Sequence, residues 1–326
     1  MRISRERLAA DAEATGFRPE ILEKVIHLLN LLNRIRGHHY LGGRVALKGG
    51  TALNLFTFDV PRLSVDIDLN YVGGETLEMM QAERPEVEAA LQAVVDREGY
   101  TVDRRPSPSI HAGGKWQLRY DSAAGQKGNL EVDLVYMFRV PLWPLQTLDS
   151  HSVGSYSAKG ILVLDPYELA AGKLAALFDR MTGRDLFDAH QLLSQAELDQ
   201  QRLRLGFIVY GAMSPTDWRG VSPGSIAFRP EDLEQVLLPT LRRDVLAGDG
   251  TPAAWGARLL EETRDAMGML LPFTEPELGF LDRLLDDGEI VPELITEDEK
   301  MADRIRRHPS LQWKALNVLK HKAGRT

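Results

Sequence analysis

Residues 47 to 69, LKGGTALNLFTFDVPRLSVDIDL, constrain the fold more than any other stretch of the chain. Val65 to Val72 alternates, so Val65, Ile67 and Leu69 face one side of a predicted strand while Asp66 and Asp68 face the other. Asp is a poor strand former, and a carboxylate taken out of water needs a partner. Upstream, Val45 to Lys48 reads as a short strand that runs into Gly49-Gly50. Thr51 to Phe56 then reads as a helix start with Thr51 as its cap. A strand, a double-glycine turn, a short helix and a strand bearing D-x-D imply a sheet with one apolar face and one carboxylate-bearing face.

The other predicted elements fit around that sheet. Ile21 to Ile35 has helical apolar spacing and stops near Gly37, and Glu86 to Glu98 is amphipathic. Lys115 to Asp121 and Asn129 to Phe138 flank the turn-rich SAAGQKG, which predicts a hairpin. In its second strand Glu131 and Asp133 share the face opposite Leu130, Val132 and Leu134. Asp165-Pro166-Tyr167-Glu168 opens a helix with a cap, a proline at the first position and an acid three places on. That helix runs to about Arg180, and the chain beyond Asp185 reads as mainly helical. The expected fold class is α/β (α+β), a mixed sheet within residues 1–160 followed by a helical lobe over residues 161–326.

Asp66 and Asp68 project from one face about 6.5–7 Å apart along the strand. Two hard oxygen donors so spaced suit Mg²⁺, which takes carboxylates, water and phosphate oxygens. If the Asp133 strand neighbours that of Asp66, three carboxylates converge, and two metal ions there can clamp an in-line nucleotidyl displacement. Glu131 shares the face of Asp133 and competes for the third place. Gly49, Gly50 and Thr51 would let backbone N–H groups approach a triphosphate. A lone GGT turn or a lone D-x-D is usually only a turn or an exposed pair; their succession makes the signal specific.

KGGTALNLF followed by RLSVDIDL resembles the nucleotidyltransferase fold of the DNA polymerase β superfamily and, more narrowly, the AbiEii/AbiGii toxin family, which includes the MenT toxins. Arg62-x-Ser64-x-Asp66-Ile67-Asp68 resembles the family's R-[FL]-S-x-D-[IL]-D segment. LAAGKLAALFDRMTGRDLFDAHQLL resembles its K-L…R…R-D-x-x-D segment, with Lys173, Arg180, Arg184, Asp185 and Asp188 at the matching positions. HPSLQWKAL resembles a third element. The resemblance implies that Gly49, Gly50 and Thr51 hold the triphosphate, and that Asp66, Asp68 and Asp133 hold Mg²⁺. It implies further that the helical lobe brings Lys173, Arg180 and Asp185 to the active-site cleft. The implied activity is transfer of nucleotides from NTP to RNA, with tRNA 3′ ends the best-supported class, which blocks translation. The implied partner is a winged-helix antitoxin encoded nearby, with no stable complex required. Phosphorylation of the Thr51 hydroxyl would add charge against the substrate phosphates.

The same site could serve a protein-nucleotidylating enzyme, a phosphotransferase or a silent nucleotide-binding protein. Lys173, Arg180 and Arg184 would line one edge of a continuous helix, where a solvated basic stripe is the ordinary outcome. Asp185 and Asp188 would then simply cap the next helix. His38-His39, His190 and the Lys115-Trp116…Arg119-Tyr120 run read as loop, packed histidine and core aromatics rather than ligands.

The chain has 326 residues and no cysteine, which excludes disulfides and thiolate metal sites. No apolar run approaches a membrane span, and the expected location is the cytoplasm. Net charge is −8, but residues 300–326 carry eight basic and one acidic residue, against six basic and eighteen acidic over 228–299. That asymmetry suits either phosphate binding by the tail or two faces that attract one another.

Overall fold

The computed structural model describes residues 3–107, 112–195, 198–245 and 251–324. The chain divides into two compact units, the first comprising Met1–Arg139, Pro144–Asp165 and Leu237–Gly248. Its elements are α1 (Arg5–Thr15), α2 (Pro19–Gly37), β1 (Val45–Lys48), α3 (Gly49–Ala52), β2 (Asp66–Tyr71), α4 (Leu77–Arg97), β3 (Thr101–Arg104), β4 (Gly113–Asp121), β5 (Lys127–Val135), β6 (Gln146–Leu148) and β7 (Ile161–Val163). The strands form one sheet in the order β3-β4-β5-β2-β1-β7-β6. It is mixed, because β2–β5 and β1–β7 are parallel and the other pairs antiparallel.

The two-residue alternation decides the sheet's faces. Leu47, Ile67, Leu69, Trp116, Leu118, Leu130, Val132 and Leu134 are all buried on one side. Against that layer α2 packs on β5 and β7, and α4 packs on α2 and β3. The α4 helix starts at Leu77, ahead of the expected Glu86. Thr76 caps it by accepting the Met79 N–H, and Pro85 is carried inside without ending it. The segment from Leu237 rejoins this unit, with Arg62 bridging Leu241 and the Leu63 N–H bonding the Thr240 carbonyl.

A second correction concerns the glycine turn. The helix after β1 begins at Gly49 with Lys48 as its cap, and it widens into a π turn over Leu53–Thr57. Thr51 therefore lies inside the helix rather than capping it. Gly49 adopts φ +72, a left-handed conformation that glycine takes without steric cost.

The second unit comprises Val140–Trp143, Pro166–Val236 and Asp249–Thr326, and the regular elements among its described residues are helices. It holds α5 (Pro166–Arg180), α6 (Gly183–Gln195), α7 (Gln200–Met213), the single turn α8 (Pro230–Asp232), α9 (Pro252–Ala266), α10 (Glu275–Asp282), α11 (Glu299–Arg307) and α12 (Pro309–Ala323). Helix α5 packs on α6 and α7, α6 on α9, and α7 on α12. Phe178, Phe207, Trp218 and Phe273 form its aromatic centre, with Phe207 and Trp218 rings 4.8 Å apart. Buried Glu168 accepts the Leu142 N–H and the Tyr210 hydroxyl, which fixes the 140–143 segment to α5 and α7. No described helix is long and apolar enough to cross a membrane.

Candidate active site

The parallel pairing of β2 with β5 places Asp68 opposite Asp133 and Asp66 opposite Glu131. Directly paired residues share a face, so four carboxylates form a two-by-two block on the side away from the apolar layer. All four are half-buried, whereas Ile67 and Val132 between them are fully buried. Strands β1 and β4 extend the rows: Lys48 pairs with Asp68, Lys115 with Asp133, and Gln117 with Glu131. Neighbouring strands lie about 4.8 Å apart. One row thus reads Lys48, Asp68, Asp133, Lys115, two carboxylates between two cations.

The glycine turn touches this block. A β-carbon at Gly49 would fall 2.2 Å from Asp68 Oδ2, so only glycine lets the turn lie against that carboxylate. No side chain caps the turn. Thr51 is fully buried, and its hydroxyl donates to the Asp66 carbonyl. The hydroxyl therefore does not face a triphosphate, and a phosphoryl group has no room on it in this conformation.

The structure also separates Glu131 from Asp133. Glu131 Oε2 lies 3.0 Å from Lys115 Nζ, and Gln117 reaches its other oxygen at 3.4 Å. The hydrogen bond from Lys115 holds the Glu131 carboxyl below the usual range, and Glu131 in turn raises the Lys115 ammonium. Asp66 and Asp133 add to the raised value at Lys115, which marks how near that ammonium lies to the carboxylate block. In the rotamers present, no three His, Asp or Glu groups among the described residues close on one point tightly enough to hold a metal ion. Asn70, two residues beyond Asp68 on the same face, is buried with neither amide atom hydrogen-bonded among the described residues. Its polarity in an alternating strand predicts a solvent-facing position, so sequence reasoning missed its burial.

The second unit assembles the other candidate residues among themselves. Lys173 Nζ lies 3.0 Å from Asp185 and 2.8 Å from Asp188, and all three side chains are buried. Arg180 reaches Asp185 at 2.9 Å, and the Thr182 hydroxyl donates to Asp185 while accepting its N–H. Burial pushes the Asp185 carboxyl up, but Lys173 and Arg180 outweigh it and hold the group below its ordinary value. Met181, with φ +52, ends α5 before Gly183 opens α6. Arg184 therefore lies on a different helix from Lys173 and Arg180, and the three-cation edge does not form. Asp188 is the partner that sequence reasoning left as a cap. Its three-residue spacing from Asp185 puts both on one helical face, the signal that could have found it.

The remaining sequence candidates resolve as ordinary structure. The His38 and His39 rings stack 4.6 Å apart, and His38 accepts the Tyr40 N–H. His190 bonds Glu262, and Trp116 and Tyr120 belong to the buried layer. Tail cations pair with the acidic stretch: Lys322 with Asp287, and Arg306 with Glu293.

The model of the nucleotidyl transferase AbiEii toxin family, a type IV toxin–antitoxin system, matches residues 30–312. The chain belongs to that family. Among solved structures, it is similar to MenT4, a nucleotidyltransferase toxin from Mycobacterium tuberculosis H37Rv, at 16% identity and a TM-score of 0.56. The match covers 95% of this chain and 99% of that one, and at that identity it shows a shared fold. A comparison with curated proteins found no match. An AbiEii-family chain is thus a nucleotidyltransferase-type toxin, with the fold that its GGT turn and D-x-D strand suggested.

Proposed function

We propose that this AbiEii-family chain transfers nucleotides from an NTP to the 3′ end of RNA, with tRNA as the acceptor class, and so inhibits translation. The observation that carries the reading is the cross-strand row Asp68–Asp133 with the Gly49 turn lying against Asp68. The N–H groups of the turn would bind triphosphate oxygens on the β1 side. The acceptor hydroxyl oxygen forms the new bond to the α-phosphorus, the bond to the β-phosphate oxygen breaks, and pyrophosphate leaves. Asp133, on β5 and paired with Lys115 of β4, is our assignment for the group that takes the hydroxyl proton. Asp66, Asp68 and Asp133 are hard oxygen donors of the kind Mg²⁺ takes, in adjacent positions on paired strands. Bound Mg²⁺ would neutralise phosphate charge and activate the hydroxyl. Glu131 is committed to Lys115, which favours Asp133 as the third ligand.

The family resemblance assigns Lys173 to nucleotide phosphates; in this chain its ammonium is shared between Asp185 and Asp188. The family's antitoxin, by resemblance a winged-helix protein, is the partner this reading requires, and the cytoplasm is where its substrates lie. The test incubates purified protein with each labelled NTP, Mg²⁺ and total RNA. Label should enter RNA, and Asp66→Ala, Asp68→Ala and Asp133→Ala should each abolish it while Glu131→Gln retains it. Label on protein instead of RNA, or transfer undiminished in the aspartate variants, defeats the reading.

A further inference from the structure

Beyond the carboxylate block the same sheet face turns cationic. On β4, Lys115 and Arg119 are exposed on this face, separated by the half-buried Gln117. The β3–β4 register shifts between Val102 and Arg104, so that Arg104 rather than Asp103 stands opposite Gln117. Such a bulge re-aims a side chain; here it sets an exposed arginine beside the strip, and Arg105 follows it, also exposed. Asp103 instead reaches across to Arg119. In a chain of net charge −8, this concentration of cations beside a block of carboxylates is a local reversal of sign.

Its position has a chemical meaning. Moving across the sheet, the order is glycine turn, Asp68, Asp133, Lys115. An in-line displacement places the entering and leaving oxygens on opposite sides of the phosphorus. With the triphosphate on the turn at β1, the leaving pyrophosphate lies on that side, and the acceptor hydroxyl must come from the β5–β4 side. We propose that Lys115, Arg119 and Arg104 form the acceptor subsite, binding the phosphodiester backbone of a single strand that delivers its terminal hydroxyl past Asp133. The proposal rests on the nucleotidyl-transfer reading for the direction of attack. The strip's cations bind the backbone and leave the bases unread, so they set acceptor affinity without sequence preference.

The experiment compares wild type with the Arg104→Gln/Arg119→Gln pair, and with Lys159→Gln/Arg229→Gln, exposed cations away from this face, as a control for total charge. Two readouts are taken: KM for NTP and for an RNA acceptor in label transfer, and salt-dependent anisotropy of a labelled single-stranded RNA. The strip pair should raise acceptor KM and weaken RNA binding about tenfold with NTP KM held. It should also reduce the salt slope by about 0.7 for each cation removed. Lys115→Gln should act in the same direction. Unchanged RNA affinity and slope in the strip pair, or an equal loss in the control pair, overturns the proposal. Strip-dependent RNA binding without any label transfer would overturn the proposed function and the acceptor role with it, leaving the strip a single-strand binding surface.

Discussion

At the scale of single residues, the site depends on contacts that tolerate no added atom. Gly49→Ala would introduce a left-handed non-glycine residue and drive its β-carbon toward Asp68 Oδ2. The carboxylate is the movable partner, so the fold should survive at a cost of about 1–2 kcal/mol. Label transfer should fall roughly 100-fold, the usual consequence of an ångström-scale misplacement. Thermal melts run beside the transfer assay separate the two effects, and full activity in this variant would rule out the turn as part of the site. The Lys173 cluster makes a different forecast. Asp188→Ala leaves a buried ammonium with one carboxylate fewer and should cost about 3–5 kcal/mol. The double variant Lys173→Met/Asp188→Leu, which leaves buried Asp185 to Arg180 and Thr182, should recover only part of that stability. Urea unfolding of the single and double variants measures the difference. Asp66, Asp68 and Asp133 were legible in the sequence because strand alternation alone assigns them a face. The Thr51 hydroxyl was not, since its acceptor, the Asp66 carbonyl, becomes a neighbour only when α3 packs on β2.

At the scale of elements, β4 separates a structural side chain from a surface one within two residues. Trp116 is buried against the apolar layer, while Lys115 is exposed on the opposite face. Trp116→Ala should cost about 3–5 kcal/mol, and Lys115→Ala at most about 1 kcal/mol, the ordinary limit for an exposed ion pair. Denaturant midpoints of the two variants decide this, and similar losses would contradict the assigned faces. The hairpin β4–β5 was readable because two alternating runs flank a turn of small and polar residues. The full extent of α4 was not, because a proline in a sequence suggests a boundary. Whether the helix continues is decided by the cap at Thr76 and by packing on α2 and β3.

At the scale of the whole molecule, charge and pH act through groups scattered along the chain. His27 is buried in the first unit, 3.1 Å from the Tyr100 hydroxyl and stacked on Tyr120 at 3.9 Å. Burial lowers its pKa to about 4 from an ordinary 6.5. The unfolded chain therefore binds more protons between those values, and stability that is fully present above pH 6.5 is lost as pH falls toward 4. The loss from this residue should approach about 3 kcal/mol. His27→Phe should flatten that part of the pH–stability profile, and an unchanged slope in urea unfolding between pH 7 and 4 would show that other groups carry it. Charge segregation along the chain likewise resolves within the second unit, where Lys322 and Arg306 of the basic tail meet Asp287 and Glu293 of the acidic stretch.

By itself the sequence determined the chemistry on offer: a glycine turn, a D-x-D strand, a third carboxylate in phase with it, and a K…R…RD segment. These follow from periods of two and about 3.6 residues, which are local properties of the backbone. Only the tertiary structure decided which groups meet. It paired Asp68 with Asp133 through a parallel register between strands some 60 residues apart, and tied Glu131 to Lys115. It also ended α5 at Met181, so that Lys173 holds two carboxylates instead of leading a basic stripe. Register and helix ends depend on packing between distant segments, and no local pattern encodes that.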